Sequence, residues 1–368
     1  MSLASIDLLR NAVFAPESLP ALVPTDWDLL IRQARHAGLL ARIHSICRNH
    51  DLLDRIPAAP RMHLESAANM AKRQRRELVW ETEQIVAALH PLDLPVVILK
   101  GAAYVMAGLD VAEGRLVSDV DILVPHAAIG DVETVLMKQG WAATSHSQYD
   151  QRYYRTWMHE IPPLRHIQRG TVVDVHHAIL PNSARLHPDS AKLFEKAITV
   201  PGKPHIRVLT PEDMVIHSAT HLFHEGELER GLRDLVDIDN LLREFGGNQT
   251  VGFWERLVPR ACELDLSRPL FYALRYANLM IGSAIPNEVL RAARNAPGGR
   301  QDGAMLAFMD ALFLRALRPA HASTSDRYTP LARWLLYIRS HWIRMPPWLL
   351  LPHLTRKTVR RLRGDEEA

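Results

Sequence analysis

One stretch restricts the fold of this chain more than any other: Val96–Val124, reading VVILKGAAYVMAGLDVAEGRLVSDVDILV. Val96–Leu99 is a short β-branched and aliphatic run, which predicts a buried strand. Gly101 opens a helix through about Ala107, and Gly108 is placed to end it. Asp110–Gly114 reads as a loop, and Ser118–Val124 as a second strand stopped by Pro125. Side chains alternate across a strand, so Asp119 and Asp121 share one face while Val120 and Ile122 take the other. Two carboxylates held together repel unless a cation stands between them. A divalent metal site is the usual reason for that arrangement.

The 368 residues suggest two or three domains, and the chain is long enough for a substantial core. With 44 Lys and Arg against 41 Asp and Glu, the net charge of +3 does not indicate a dedicated nucleic-acid binder. Cys47 and Cys262 lie too far apart in sequence for a disulfide framework or a zinc knuckle, so a reducing cytoplasm is the expected compartment. The opening MSLASIDLLRNAV lacks a basic region followed by an apolar core, so no signal peptide is expected. The strongest apolar stretch, Trp334–Leu351, is broken by Arg339, His341, Arg344 and Pro346-Pro347, which argues against a membrane span.

Four regions follow from the pattern. Residues 1–90 read as helical, with apolar residues at three- and four-residue spacing in Trp27–Cys47 and Pro60–Leu89. Residues 91–188 read as an α/β unit: after the two strands come an amphipathic helix over Ile129–Gln139, a further strand at Trp141–His146, an ambiguous Arg152–Arg169, and a strand over Thr171–Ile179. Residues 189–330 are expected to be helical. Thr210-Pro211-Glu212-Asp213 is a helix start with an N-cap, a proline at the first position and acids in the first turn. A break follows at Phe245–Asn248, with later helices around Pro286–Asn295 and Asp302–Leu317. Residues 331–368 form a basic amphipathic segment with Trp334, Trp342 and Trp348. Peripheral membrane contact through 334–363 is the less favoured reading; a helix packed on the body with a solvated basic end is preferred.

Three pieces assemble into a candidate site. Lys100-Gly101 stands where a strand passes into a helix, and glycine there allows a phosphate close approach to the free N–H groups of a helix start. Asp119 and Asp121 form the second piece. The third is Asp174, a lone acid in Val172-Val173-Asp174-Val175-His176-His177 that shares a face with His176. If its strand lies beside the Asp119 strand, three carboxylates converge as hard oxygen ligands for magnesium. His217, His221 and His224 are spaced for one helix face, either against a cleft or around a metal ion. Arg233 is spaced for an ion pair with Asp237, or else faces substrate.

Lys100-Gly101-Ala102, then Asp119-Val120-Asp121, then Asp174 resembles the DNA polymerase β-like nucleotidyltransferase superfamily, and more narrowly its uncharacterised bacterial nucleotidyltransferase proteins. Supporting stretches are Ser118–Val124, Val173–His176, Leu209–Asp213 with His217 and His221, and Leu232–Asp237, within about Leu94–Pro286. The resemblance implies an α+β fold, a small nucleotidyltransferase-like mixed sheet with flanking helices embedded in N- and C-terminal helical regions. It implies transfer of a nucleoside monophosphate from an NTP, ATP among them, to an unidentified acceptor with release of pyrophosphate. Asp119, Asp121 and Asp174 would be catalytic and would ligate Mg2+ or Mn2+. Lys100, Gly101, Ala102, Arg115 and Ser118 would meet the nucleotide, and His176, His217, His221 and Arg233 would border the substrate cleft. In the family turn a second Gly or Ser follows the first glycine; here Ala102 stands there, and the gap from Gly101 to Asp119 is long. The alternatives are a catalytically inactive nucleotide-binding or scaffold module, and a toxin that modifies tRNA or protein.

Overall fold

The computed structural model describes residues 4–144, 148–226, 228–247, 250–300 and 302–345. Four helices come first: α1 (Ala4–Phe14), α2 (Pro24–His36), α3 (Leu40–Asn49) and the 32-residue α4 (Ala58–Leu89). The predicted helical run Trp27–Cys47 is thus two helices. The α/β region then runs β1 (Val97–Ile98), α5 (Lys100–Ala107), β2 (Asp119–Leu123), α6 (Ile129–Lys138), β3 (Trp141–Ala143), α7 (Gln148–Trp157), β4 (Leu164–His166) and β5 (Val172–His176). After α8 (Ser190–Lys196) come two more strands, β6 (Ile198–Val200) and β7 (Lys203–Val208). The remainder is helical: α9 (Pro211–Thr220), α10 (Gly231–Gly246), α11 (Phe253–Glu263), α12 (Ser267–Tyr276), α13 (Asn287–Asn295), α14 (Gly303–Ala316) and α15 (Thr329–Arg344).

Among the described residues seven strands form one mixed sheet in the order β3-β4-β5-β2-β1-β7-β6. The sheet therefore extends past residue 188, where the sequence pattern was expected to turn helical; β7 pairs in parallel with β1, and β6 closes the edge. The ambiguous stretch from Arg152 resolves into the end of α7 and the short β4, separated by Pro162-Pro163. The strand expected over Trp141–His146 covers Trp141–Ala143, and residues 145–147 lie outside the described set.

Strands β2 and β5 lie at the centre, and their composition explains why. Val120, Ile122, Leu123, Val173 and Val175 are all buried, so both faces of these strands are covered. Helix α4 packs on β2, α5 and α6. It supplies Leu78, Ile85, Val86 and Leu89 to a core that runs without interruption from Leu9 to Leu336. Thr210 accepts a hydrogen bond from the Asp213 N–H, capping α9 as its sequence predicts.

A candidate active site at the β1–α5 and β2–β5 junction

Strands β2 and β5 pair in parallel with Asp119 opposite Val172, Asp121 opposite Asp174 and Leu123 opposite His176. Residues paired across neighbouring strands project to the same face. The register therefore gathers Asp119, Asp121, Asp174 and His176 on one face. Asp121 is buried, and its Oδ1 accepts from Lys100 Nζ at 3.1 Å and lies 2.9 Å from His176 Nε2. Burial alone would push the Asp121 carboxyl up, but Lys100 and His176 hold it well below the usual carboxylate range. His176 responds in kind: burial opposes its charge, while Asp121 and Glu160 raise its pKa.

Asp174 behaves in the opposite way. Burial, then the charges of Asp121 and Glu160, push its carboxyl up to about 7. Its Oδ1 is a buried oxygen with no hydrogen-bond partner among the described residues. A buried, unsatisfied carboxylate oxygen beside two further acids is the environment a hard divalent cation would satisfy. The oxygens of Asp119, Asp121 and Asp174 are of the type such an ion takes, although among the described residues the three are not drawn together within a common 4.8 Å.

The β1–α5 turn reaches its geometry in an unexpected way. The residue with left-handed backbone is Lys100, at φ +46°, rather than Gly101. Most side chains avoid that region, so the turn stores strain of about 1 kcal/mol or more. It aims the Lys100 ammonium back at Asp121. Gly101 is needed for space: a Cβ there would overlap the Arg115 guanidinium and the Val117 methyl groups. The close approach at Gly101 is thus made by Arg115. Ala102 beside it is buried.

Arg115 is fixed from behind. Its Nε donates to Asp237 Oδ2 at 2.7 Å, and Arg42 Nη2 donates to Asp237 Oδ1 at 2.9 Å. Burial works against the charge on Arg115, yet Asp237 holds the guanidinium more firmly protonated than usual. The loop that carries Arg115 turns at Gly114 (φ +67°), whose Cα sits so close to the backbone of Ala41 and Arg42 that any side chain would strike it. The expected Arg233–Asp237 pair is replaced. Arg233 instead pairs with its neighbour Asp234, Nη2 to Oδ1 at 2.6 Å, while the buried Arg42 and the partly buried Arg115 occupy Asp237.

These groups open onto a cleft of about 830 Å3. Lys100, Gly101, Arg115, Ser118, Asp119 and Asp121 line its floor. One wall carries His221, Arg230 and Arg233, and the other, from α15, carries Arg333, Trp334 and Tyr337. Asp174 and His176 stand beside Asp121 on the neighbouring strand, and His217 is buried, its pKa lowered to about 3 first by burial and then by Lys100. The three histidines of the 217–224 stretch do not share one regular helix face. Helix α9 ends at Thr220; His221 still donates its N–H to the His217 carbonyl, and the wider π-type turn over His221–Glu225 takes His224 out of that α-helical register.

Several participants escape the sequence reading. Glu160 and His159 sit in the stretch left ambiguous, where a His-Glu pair ahead of two prolines was the available signal. Arg42 comes from a helix distant in sequence, and nothing local marks it. Trp334 and Tyr337 belong to α15; the remainder of the expected basic segment, residues 346–368, lies outside the described residues. Among the described residues no helix is long and apolar enough to cross a membrane.

The profile of a protein family described as uncharacterised nucleotidyltransferase matches residues 24–282. No curated protein matches the chain. Among solved structures, an antigenic nucleotidyltransferase-like protein from Paracoccidioides brasiliensis is 16% identical, with a TM-score of 0.34 over 59% of this chain and 93% of that one.

Proposed function

Since the chain belongs to the uncharacterised nucleotidyltransferase family, we propose that it transfers a nucleoside monophosphate from an NTP to an acceptor hydroxyl in a reaction dependent on Mg2+ or Mn2+. The acceptor oxygen attacks the α-phosphorus, the bond from that phosphorus to the bridging oxygen of the pyrophosphate breaks, and the acceptor proton is released. The observation that carries this reading is the parallel register of β2 and β5. It sets Asp174 against Asp121, and Asp119 and Asp121 line a cleft that also holds Lys100 and Arg115.

Asp119, Asp121 and Asp174 would hold the ion. When bound, it supplies neutralisation of the charge that develops on the phosphates. The protein's own residues do the rest. Lys100 and Arg115 meet the triphosphate oxygens; Arg115 is suited to this because Asp237 and Gly101 fix its planar fork before substrate arrives. Ser118, at the entrance to β2, adds a hydroxyl. Where Asp119 and Asp121 alone hold the ion, Asp174 is left as the group that accepts the acceptor's proton. Trp334 and Tyr337 offer exposed aromatic faces on which a base can stack, worth about 1–3 kcal/mol per base in comparable settings.

The test is incubation with each of four labelled NTPs, a divalent cation and cell extract, following pyrophosphate release and the species that gains label. Asp119→Asn and Asp174→Asn are each expected to lower the rate by about 10²-fold or more. A second reading, a nucleotide-binding module without transfer, is favoured by one observation: Asp121 Oδ1 is already engaged by Lys100 and His176. NTPs that raise the melting temperature while no molecule gains label would decide for it.

A further inference from the structure

Two side chains beside His176 have no part in the reaction proposed above. His159 and Glu160 follow α7 at a bend, and Glu160 forms an isolated antiparallel bridge with His176 on β5. The backbone is tied there a second time, since the His159 carbonyl accepts from the His177 N–H at 2.8 Å. These ties bring one nitrogen from each histidine and one Glu160 oxygen within 4.8 Å of one another. Both histidines are buried, with ring centroids 5.3 Å apart.

We propose that His159, Glu160 and His176 form a second metal site, separate from the three aspartates, for a borderline transition ion of the Zn2+ class. Two nitrogens and one carboxylate oxygen suit that ion and not Mg2+, which prefers oxygen ligands throughout. The spacing supports it. His176 Nδ1 and Glu160 Oε2 are 3.4 Å apart. That is long for a charge-assisted hydrogen bond, which spans about 2.7–2.9 Å. It matches two ligands of a tetrahedral ion, which at bonds of about 2.0–2.1 Å stand roughly 3.4 Å from each other. Three protein ligands would leave the fourth position open.

The other ring nitrogen of His176 completes the argument. Its Nε2 lies 2.9 Å from Asp121 Oδ1. A metal-bound histidine commonly donates its second N–H to a carboxylate, which fixes the ring's tautomer and orientation. With Nδ1 on the ion, the proton must sit on Nε2 and point at Asp121. The site would therefore lock the segment after α7 onto β5 and hold Asp121 in place through one imidazole. It stands on these distances alone and does not require nucleotidyl transfer.

The experiment uses the full chain, stripped with a chelator and titrated with Zn2+ alone against a chromophoric competitor. One equivalent is expected to bind. His159→Ala and the near-isosteric Glu160→Gln should each weaken binding by about 100-fold or more, and Asp121→Asn, which keeps all three ligands, by about 10- to 100-fold. Asp119→Asn, outside the three ligands, should leave the Zn2+ affinity unchanged. Circular dichroism confirms that each variant is folded, and Co2+ in the wild-type protein should show the intense visible bands of tetrahedral coordination, a readout that needs no variant. The proposal is overturned if Zn2+ binding is not saturable, if it survives His159→Ala and Glu160→Gln, if it is lost with Asp119→Asn instead, or if Co2+ gives the weak bands of an octahedral ion.

Discussion

Asp174 holds its proton near neutrality because burial and three neighbouring acids oppose its charge, and its carboxyl rises from an ordinary 3.8 to about 7. In the unfolded chain that proton leaves at the ordinary value. Below about pH 4 both states keep it, and folding is not penalised through this group. Between about pH 4 and pH 7 the unfolded state ionises first, so the folded state loses stability steadily; above about pH 7 the loss is complete and constant. Asp174→Asn removes the titration. The variant should therefore be more stable than wild type by about 1–3 kcal/mol at about pH 8 without divalent ions, and show little or none of that gain at about pH 4. Mn2+ should reverse the order, since it raises the midpoint of the wild type and not of the variant. Urea unfolding at both pH values, with chelator and with Mn2+, measures all four quantities. A gain of the same size at both pH values would remove the physical basis for a cation site at Asp174.

At the level of the strand–helix junction, the left-handed Lys100 and the crowded Gly101 work together. The turn aims an ammonium at Asp121 while the next residue makes room for Arg115. Gly101→Ala keeps helix propensity but pushes a methyl group into that guanidinium. Overpacking of this kind costs about 1–3 kcal/mol. The expected result is a lowered melting temperature together with weaker nucleotide-dependent stabilisation, both read in one thermal-shift titration; a variant that loses neither would show that Arg115 does not depend on this gap. The junction also marks how far sequence reasoning reaches. Asp119 and Asp121 on one face, the helix from Gly101 to Gly108 and the cap at Thr210 all follow from local periodicity and turn chemistry, and the structure has each of them. The choice of Lys100 as the strained residue was not legible, because it depends on Arg115 filling the space above Gly101. Nor was the pairing of Asp237, since its partners Arg42 and Arg115 lie 195 and 122 residues away. The π-turn after Thr220 breaks a histidine spacing that looked regular, for packing reasons that three- and four-residue periodicity does not encode.

Across the whole molecule, the α/β region is held from both sides by parts of the chain that look separate in sequence. Asp237 on α10 joins Arg42 from α3 and Arg115 from the loop before β2, with all three side chains buried or nearly so. Helix α4 lays Leu78, Ile85, Val86 and Leu89 into the same continuous core as the strands. At about 1.5–3 kcal/mol for each buried aliphatic side chain, those four contribute roughly 6–12 kcal/mol, which is comparable to the full stability of an ordinary domain. Residues 91–208 contain all the strands found among the described residues. Expressed alone, they would expose the face that α4 covers and leave Arg115 without Asp237. That fragment should therefore fail to fold, giving a non-cooperative urea transition and rapid proteolysis across β2 and β5. Within the intact chain, Asp237→Ala should reproduce part of the defect, because it leaves two buried guanidinium groups without their shared acid, a loss of about 3–5 kcal/mol. Arg42→Met paired with Asp237→Ala should recover part of that loss by removing one of the stranded charges. A cooperative transition from the 91–208 fragment, or full stability in Asp237→Ala, would mean that the site is assembled by the sheet alone and that the helices on either side serve the substrate rather than the fold.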